Sequence, residues 1–360
     1  MTLTDPAAGP PAAGASRTPA PPAPKPAPRR RPSRGLLIAL VGLALALALS
    51  LSFGGRPTTL AELVHAVWTP TGTVADVAIR ELRWPRTLTG LAVGACLGVA
   101  GCLSQGHTRN AIADPGLLGI YPGAALAVVG GSMVLGLEAG TGSPLQAVLA
   151  FAGAVVACAL VFAVGSATRI GVTPVTLVLA GAAVSALAGG LVSFIVLSSD
   201  AALDTLRFWQ LGSIAVRGGL LPDLVPFMAL GLALAAANIG PLNALALGDD
   251  TARSLGVSVT RARSLGLGAL AVLAACAVTL AGPIAFAGLL VPHMARGLLG
   301  SDYRWQMPGC AVIGAAVLLA ADTAGRVIAR PGELSVGVVL AVVGAPFFVY
   351  LARRRRMAAL

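Results

Sequence analysis

The sequence predicts an all-α integral membrane protein of about ten spans, each needing about 20 mainly apolar residues. Of its 360 residues 56% are apolar and 11% are charged, and the mean hydropathy is +0.86. An ordinary soluble domain is about 25% charged. Long apolar runs recur along the chain, and hydrocarbon leaves no partner for a free amide or carbonyl, so such runs must be helical.

Residues 1–34 are Pro-Ala repeats closing on Arg29, Arg30, Arg31 and Arg34, a composition with too little apolar area to offset chain entropy. This tail is expected to be disordered and cytoplasmic. The run from Leu36 to Phe53 follows. A basic stretch before an apolar run also describes a signal peptide, but the run is long for a signal core and more spans follow, so retention as a first helix is preferred. Further segments fall near 87–105, 116–137, 144–166, 174–198, 222–240, 264–281, 283–299, 307–322 and 334–352. With the N-terminus inside, the inner pieces hold 17 of the 25 basic residues against 8 outside. That bias obeys the positive-inside rule, and Arg353, Arg354, Arg355 and Arg356 place the C-terminus in the cytoplasm as well. The membrane-spanning domain is thus set at 35–356.

The net charge of +11 raises nucleic acid as a partner, yet aromatic residues make up 4% and no basic stripe interleaves with them. Topology-setting charge explains it, and no nucleic acid is expected. The five cysteines, Cys96, Cys102, Cys158, Cys276 and Cys310, form no CxxC pair and lie in apolar stretches, so neither a metal site nor a disulfide is read from them. His107 and His293 have no partner ligand at helical spacing and are read as structural. Lys25 is the one lysine, which leaves no GxxxxGK[ST] phosphate loop in this sequence. Asp114, Asp302, Asp322 and Glu333 sit at predicted span ends, unlike the buried carboxylate strings of ion-coupled carriers. Neither a cofactor nor covalent chemistry is expected from these residues.

Gly90, Gly94, Gly98 and Cys102 recur at four-residue spacing, a stripe that allows close helix approach or lines a pore. The pairs Pro115-Gly116 and Gly282-Pro283 are read as helix breaks. The longest inner loop carries LALGDDTARSLG over 245–256. There Asp249 is expected to cap a short helix, Asp250 to complement its positive end and Gly256 to supply the left-handed exit. A knob of under two turns results, which is either a solvated connector or a fitting for a cytoplasmic partner.

Separated blocks carry a resemblance to a known family. They are RWPRTL (83–88), QGHTRNAIADPGLLG (105–119), FWQLGS (208–213), the LGDD knob, GPIAFAGLLVPH (282–293), PGEL (331–334) and GAPFF (344–348). In this order they resemble the FecCD or BtuC-like permeases of ATP-binding-cassette importers for iron-siderophores and vitamin B12, over essentially 36–356. The resemblance implies ten helices per subunit and a second permease subunit, identical or paralogous. It also implies cytoplasmic ATPase subunits and an extracytoplasmic substrate-binding protein. It makes the knob at 247–257, with Leu247, Gly248, Asp249, Asp250, Ala252, Arg253, Leu255 and Gly256, an ATPase-coupling helix. It assigns Arg83 and Arg86, with Arg326 in the last external loop, to docking glutamates of the binding protein, with Arg330 as a substitute for Arg326. Ser185 and Ser193 form a possible pathway lining. Ala111, Tyr121-Pro122, Ala285 and Ser335 depart from the usual pattern.

The expected function is alternating-access import of a metal chelate, siderophore-bound ferric iron first, with cobalamin or haem as alternatives. The rivals are an ATP-independent secondary carrier and an intramembrane enzyme, and no clustered catalytic set supports the latter.

Overall fold

In a computed structural model the described residues are 32–54, 58–136, 143–168, 172–215 and 218–353. Most of the Pro-Ala tail and Arg354, Arg355 and Arg356 lie outside them. Every regular element among the described residues is helical.

The chain opens with α1 (Pro32–Ser52). Then come two short helices that the hydropathy pattern does not announce, α2 (Leu60–Trp68) and α3 (Val74–Val77), each started by a threonine capping box. A π-helical stretch, Ala78–Arg83, runs directly into α4 (Trp84–Thr108). After a 3-10 turn at Pro115–Leu118 follow α5 (Ile120–Leu135), α6 (Pro144–Ser166), α7 (Pro174–Ser198) and α8 (Asp200–Gln210). The second half holds α9 (Leu221–Ala237), α10 (Ile239–Leu245), α11 (Asp249–Ser254), α12 (Val259–Ala281), α13 (Ala287–Leu299), α14 (Tyr303–Ile328) and α15 (Val336–Arg353).

All ten expected apolar segments therefore fall on helices. Six helices are long and apolar enough to cross a bilayer alone, and α9 with α10 makes a seventh span bent by 45°. The bend sits at Asn238, whose amide reaches sideways to donate to Ala262 O at 2.7 Å instead of lying along the helix. The other three, α5, α13 and α15, are shorter, with 16, 13 and 18 residues.

The centre of the bundle is α4 and α12, whose apolar windows are each 78% buried. What lets α4 sit there is its glycine stripe. A Cβ on Gly94 would lie 2.4 Å from Gly314 O, and one on Gly98 would lie 2.1 Å from Cys310 O. The stripe is thus the seat on which α14 crosses α4, and packing explains it without a pore.

Two breaks face each other across this core. Tyr121 Oη donates to Ile284 O at 3.0 Å, and Gly288 backs so closely on Pro115 that a Cβ there would sit 2.5 Å from Pro115 Cδ. Both proline pairs thus interrupt helices as the sequence suggests, and this is why α5 and α13 start four residues later than their apolar runs. Within α13, Pro292 lacks the N–H that Gly288 O would accept, and Gln105 Nε2 from α4 approaches that carbonyl at 3.4 Å and Leu289 O at 3.2 Å. Arg296 holds the other end of the Gln105 amide.

Candidate functional site

Two polar assemblies lie at opposite ends of α4, separated by 25 residues of helix, about 37 Å at 1.5 Å per residue. One is the knob. The other gathers the arginines at 83, 86 and 326.

The knob is α11 with its flanks. Gly248 occupies the N-cap at φ 113° and ψ 152°, a conformation glycine alone adopts comfortably, and its carbonyl accepts Ala252 N at 2.9 Å. At the far end Gly256 has φ +80° as expected, its N–H reaches Arg253 O at 2.9 Å, and Val257 N reaches Ala252 O at 3.0 Å. These paired bonds close the helix in a Schellman turn. Ala252 is buried against Leu245, Val259 and Ala262, so the knob sits on the start of α12 by an apolar foot.

The expectation that Asp249 caps the helix is not met. With Gly248 as the cap, Asp249 falls one position inside, and its carboxylate turns back into the bundle. Arg109 Nη2 binds its Oδ1 at 2.5 Å, and Arg263 Nη2 binds Oδ1 and Oδ2 at 3.1 and 3.0 Å. Asp250 instead is 99% exposed, paired only along its own helix with Arg253 at 2.7 Å. Leu247 and Leu255 are exposed too, at 65% and 63%. The knob therefore presents two leucines, Asp250 and Arg253 outward, while Asp249 ties it inward.

Sequence reasoning missed Arg109 and Arg263. A signal existed for the second, since an arginine inside the apolar α12 needs a partner. The unit is pinned further by Asn243, which donates to Asp302 Oδ1 at 2.8 Å and accepts from Tyr303 N at 3.1 Å. The amide of Arg304, and then that of Asn243, hold the Asp302 carboxyl below its ordinary range. His107 is buried, with Nε2 3.1 Å from Asn238 Oδ1, and His293 stacks edge-on against Phe347 at 5.5 Å. Among the described residues no group of three or more His, Cys, Asp or Glu side chains could hold a metal ion.

At the opposite end the structure does bring the three arginines together, but differently from the expected arrangement. Arg326 is not in a loop: it lies in the last turns of α14 and is 2% exposed. Its guanidinium donates to Ser50 O at 3.2 Å, Phe53 O at 2.7 Å and Ser50 Oγ at 3.1 Å, at the C-terminal end of α1. Arg83 is buried as well and donates to Leu51 O, Ser52 O and Thr58 Oγ1 at 2.7, 3.0 and 2.8 Å. Asp322, 1% exposed, stands between Arg86 at 2.8 Å and Arg326 at 3.0 Å. Arg86 also reaches Glu333, which is 44% exposed, at 2.6 Å. The arrangement closes α1, α4 and α14 together, with the Arg86–Glu333 pair at its rim. The exposed Arg330 donates to Gly54 O at 2.9 Å.

On α7, Ser185 is half-buried beside the packed face of Gly181, Ala188 and Val192, while Ser193 is exposed. Among the described residues the sides of α7 that carry Ser193, Leu187 and Phe194 are uncovered.

Residues 40–354 match the model of the FecCD transport family. The chain belongs to that family. It is 44% identical over 304 residues, 84% of this chain and 90% of the relative, to the ferric enterobactin transport system permease protein FepD of Escherichia coli. It is 37% identical over 318 residues, 85% of this chain and 82% of the relative, to the cobalamin import system permease protein BtuC of Halobacterium salinarum. A solved metal-chelate type ABC transporter in an inward-facing conformation has a TM-score of 0.75 and 26% identity, covering 90% of this chain and 100% of its own. The family is one of transport permeases, and a multi-pass membrane protein agrees with its helices.

Proposed function

We infer that the chain is a membrane subunit of an ATP-driven importer for ferric siderophores, and that hydrolysis is performed by separate ATP-binding-cassette subunits. The observation that carries this is the knob. Its exposed Leu247, Asp250, Arg253 and Leu255 point away from the bundle while its base is fixed to the central helices. An exposed leucine pair flanked by charges is the composition of a partner surface with an apolar centre and polar rim. In this reading the knob end is cytoplasmic, and both termini are on that side. The start of α1 agrees, since Gly35 lies against Leu298 at the knob end of α13.

The opposite end then faces the binding protein. Arg83 and Arg326 shape that docking surface from beneath, and Arg86, shared between Asp322 and Glu333, is the member at its rim. A second permease subunit covers the open face of α7, placing Ser185 and Ser193 along the shared pathway. Ferric siderophore is preferred to cobalamin because identity is higher to the ferric enterobactin relative than to the cobalamin one. Haem is the remaining alternative.

The test is uptake into proteoliposomes holding the chain with its ATPase and binding protein. Ferric enterobactin should accumulate only with ATP, and excess cobalamin should not compete. Accumulation driven by an ion gradient without the ATPase would establish a secondary carrier instead.

A further inference from the structure

The geometry points to Asp249 as the joint that passes displacement of the knob to the transmembrane helices, a positioning residue and not part of the ATPase contact. This rests on the importer reading above. Three observations carry it.

First, both carboxylate oxygens of Asp249 are occupied from within. Oδ1 takes Arg109 at 2.5 Å, and Arg263 bridges both oxygens at 3.0 and 3.1 Å, while the side chain is 23% exposed. Charge-assisted bonds of this kind are the strong ones, and a partner would have to break them to use this carboxylate. Its neighbour Asp250, nearly fully exposed, has no such tie to the bundle.

Second, the two arginines belong to the two most buried helices. Arg109 is the C-cap of α4 and Arg263 lies in the first turns of α12. Arg109 holds a left-handed backbone, φ 47° and ψ 37°, and its guanidinium also takes Leu245 O at 2.7 Å. A non-glycine residue held there signals a conformation fixed by its surroundings. Here that conformation aims the side chain at the knob.

Third, the link continues. Arg263 is 4% exposed and its other nitrogen donates to Val172 O, just ahead of α7. One carboxylate thus connects α11 to α4, α12 and, through Arg263, α7. The apolar foot of Ala252 joins the knob to Leu245 at the end of α10 and to Val259 and Ala262 of α12, and reaches neither α4 nor α7. A push on the knob is therefore felt by α4 and α7 through charge, and by α12 through both charge and packing.

The experiment uses the assembled transporter in proteoliposomes and reads retention of the ATPase and ferric enterobactin taken up per ATP hydrolysed. Asp249→Asn should retain the ATPase, because the outward face is untouched, while uptake per ATP falls by about tenfold, within the usual range of coupling free energies. Asp249→Glu, which keeps the charge, should recover most of the loss. An unchanged ratio in Asp249→Asn overturns the proposal, and so does loss of the ATPase from that variant, which would make Asp249 a direct contact. Should Asp249→Asn fail to fold, Arg109→Gln removes the bonds to Asp249 and Leu245 O and leaves the Arg263 pair; a lowered ratio supports the joint and an unchanged one overturns it. Absence of ATP-driven uptake by the unaltered transporter counts against the importer reading, and not against the joint.

Discussion

Replacing Asp322 by asparagine removes one charge and almost no volume from the buried arginine cluster, so its effect isolates electrostatics. Asp322 lies 2.8 Å from Arg86 and 3.0 Å from Arg326, with side chains 1%, 12% and 2% exposed. At an effective dielectric of about 20, each pair is worth about 6 kcal/mol gross. Desolvating the three ions offsets most of this, at several kcal/mol apiece. Removing the anion leaves that desolvation in place and deletes the attraction, so the net loss should be about 3–5 kcal/mol. Glu333 compensates little, because at 44% exposure its pair with Arg86 is largely solvated. Unfolding of the purified subunit in an SDS titration, followed by loss of helicity, reads the difference. The double variant Asp322→Leu with Arg326→Leu should recover part of the loss, since it removes a buried charge of each sign. A change below about 1 kcal/mol for Asp322→Asn, the range of exposed pairs, refutes the reasoning.

Other consequences follow from the same packing. Gly98→Ala places a Cβ 2.1 Å from Cys310 O and should destabilise the subunit by about 1–3 kcal/mol, read in the same titration. The pair Arg83→Glu with Arg86→Glu should lose folded subunit from detergent extracts, because Arg83 closes the end of α1 and Arg86 neutralises Asp322; a normal yield with impaired binding-protein docking would show these arginines to be free contacts after all. Gly256→Ala, at φ +80°, should cost about 1–2 kcal/mol and increase hydrogen exchange in the knob without altering the bundle.

Much of the architecture was legible because bilayer chemistry writes it in composition. The runs at 144–166 and 174–198 coincide with α6 and α7, and the Gly90–Cys102 stripe marks a close crossing. The knob was legible too, through Gly256 and the charges beside it. What was hidden depends on contacts distant in sequence. Nothing near Arg326 announces Ser50, 276 residues away, as its partner. Hydropathy placed Arg326 beyond the span because an arginine normally ends one, whereas Asp322 one turn earlier keeps it inside α14. For Asp249 the local pattern suggested a cap, yet Gly248 can take the cap conformation and two remote arginines draw the carboxylate away. The short helices α2 and α8 escaped notice because an amphipathic helix of 9 or 11 residues has no long apolar run.

The most direct measurement is co-purification of the ATPase with a subunit carrying Leu247→Arg and Leu255→Arg. Both side chains are exposed and support no other part of the fold, so unfolding in SDS should match the unaltered subunit while the ATPase is lost. An ATPase that stays bound at full stoichiometry, with ATP-driven uptake intact, would contradict the assignment of this knob as the place where the work of hydrolysis enters the membrane.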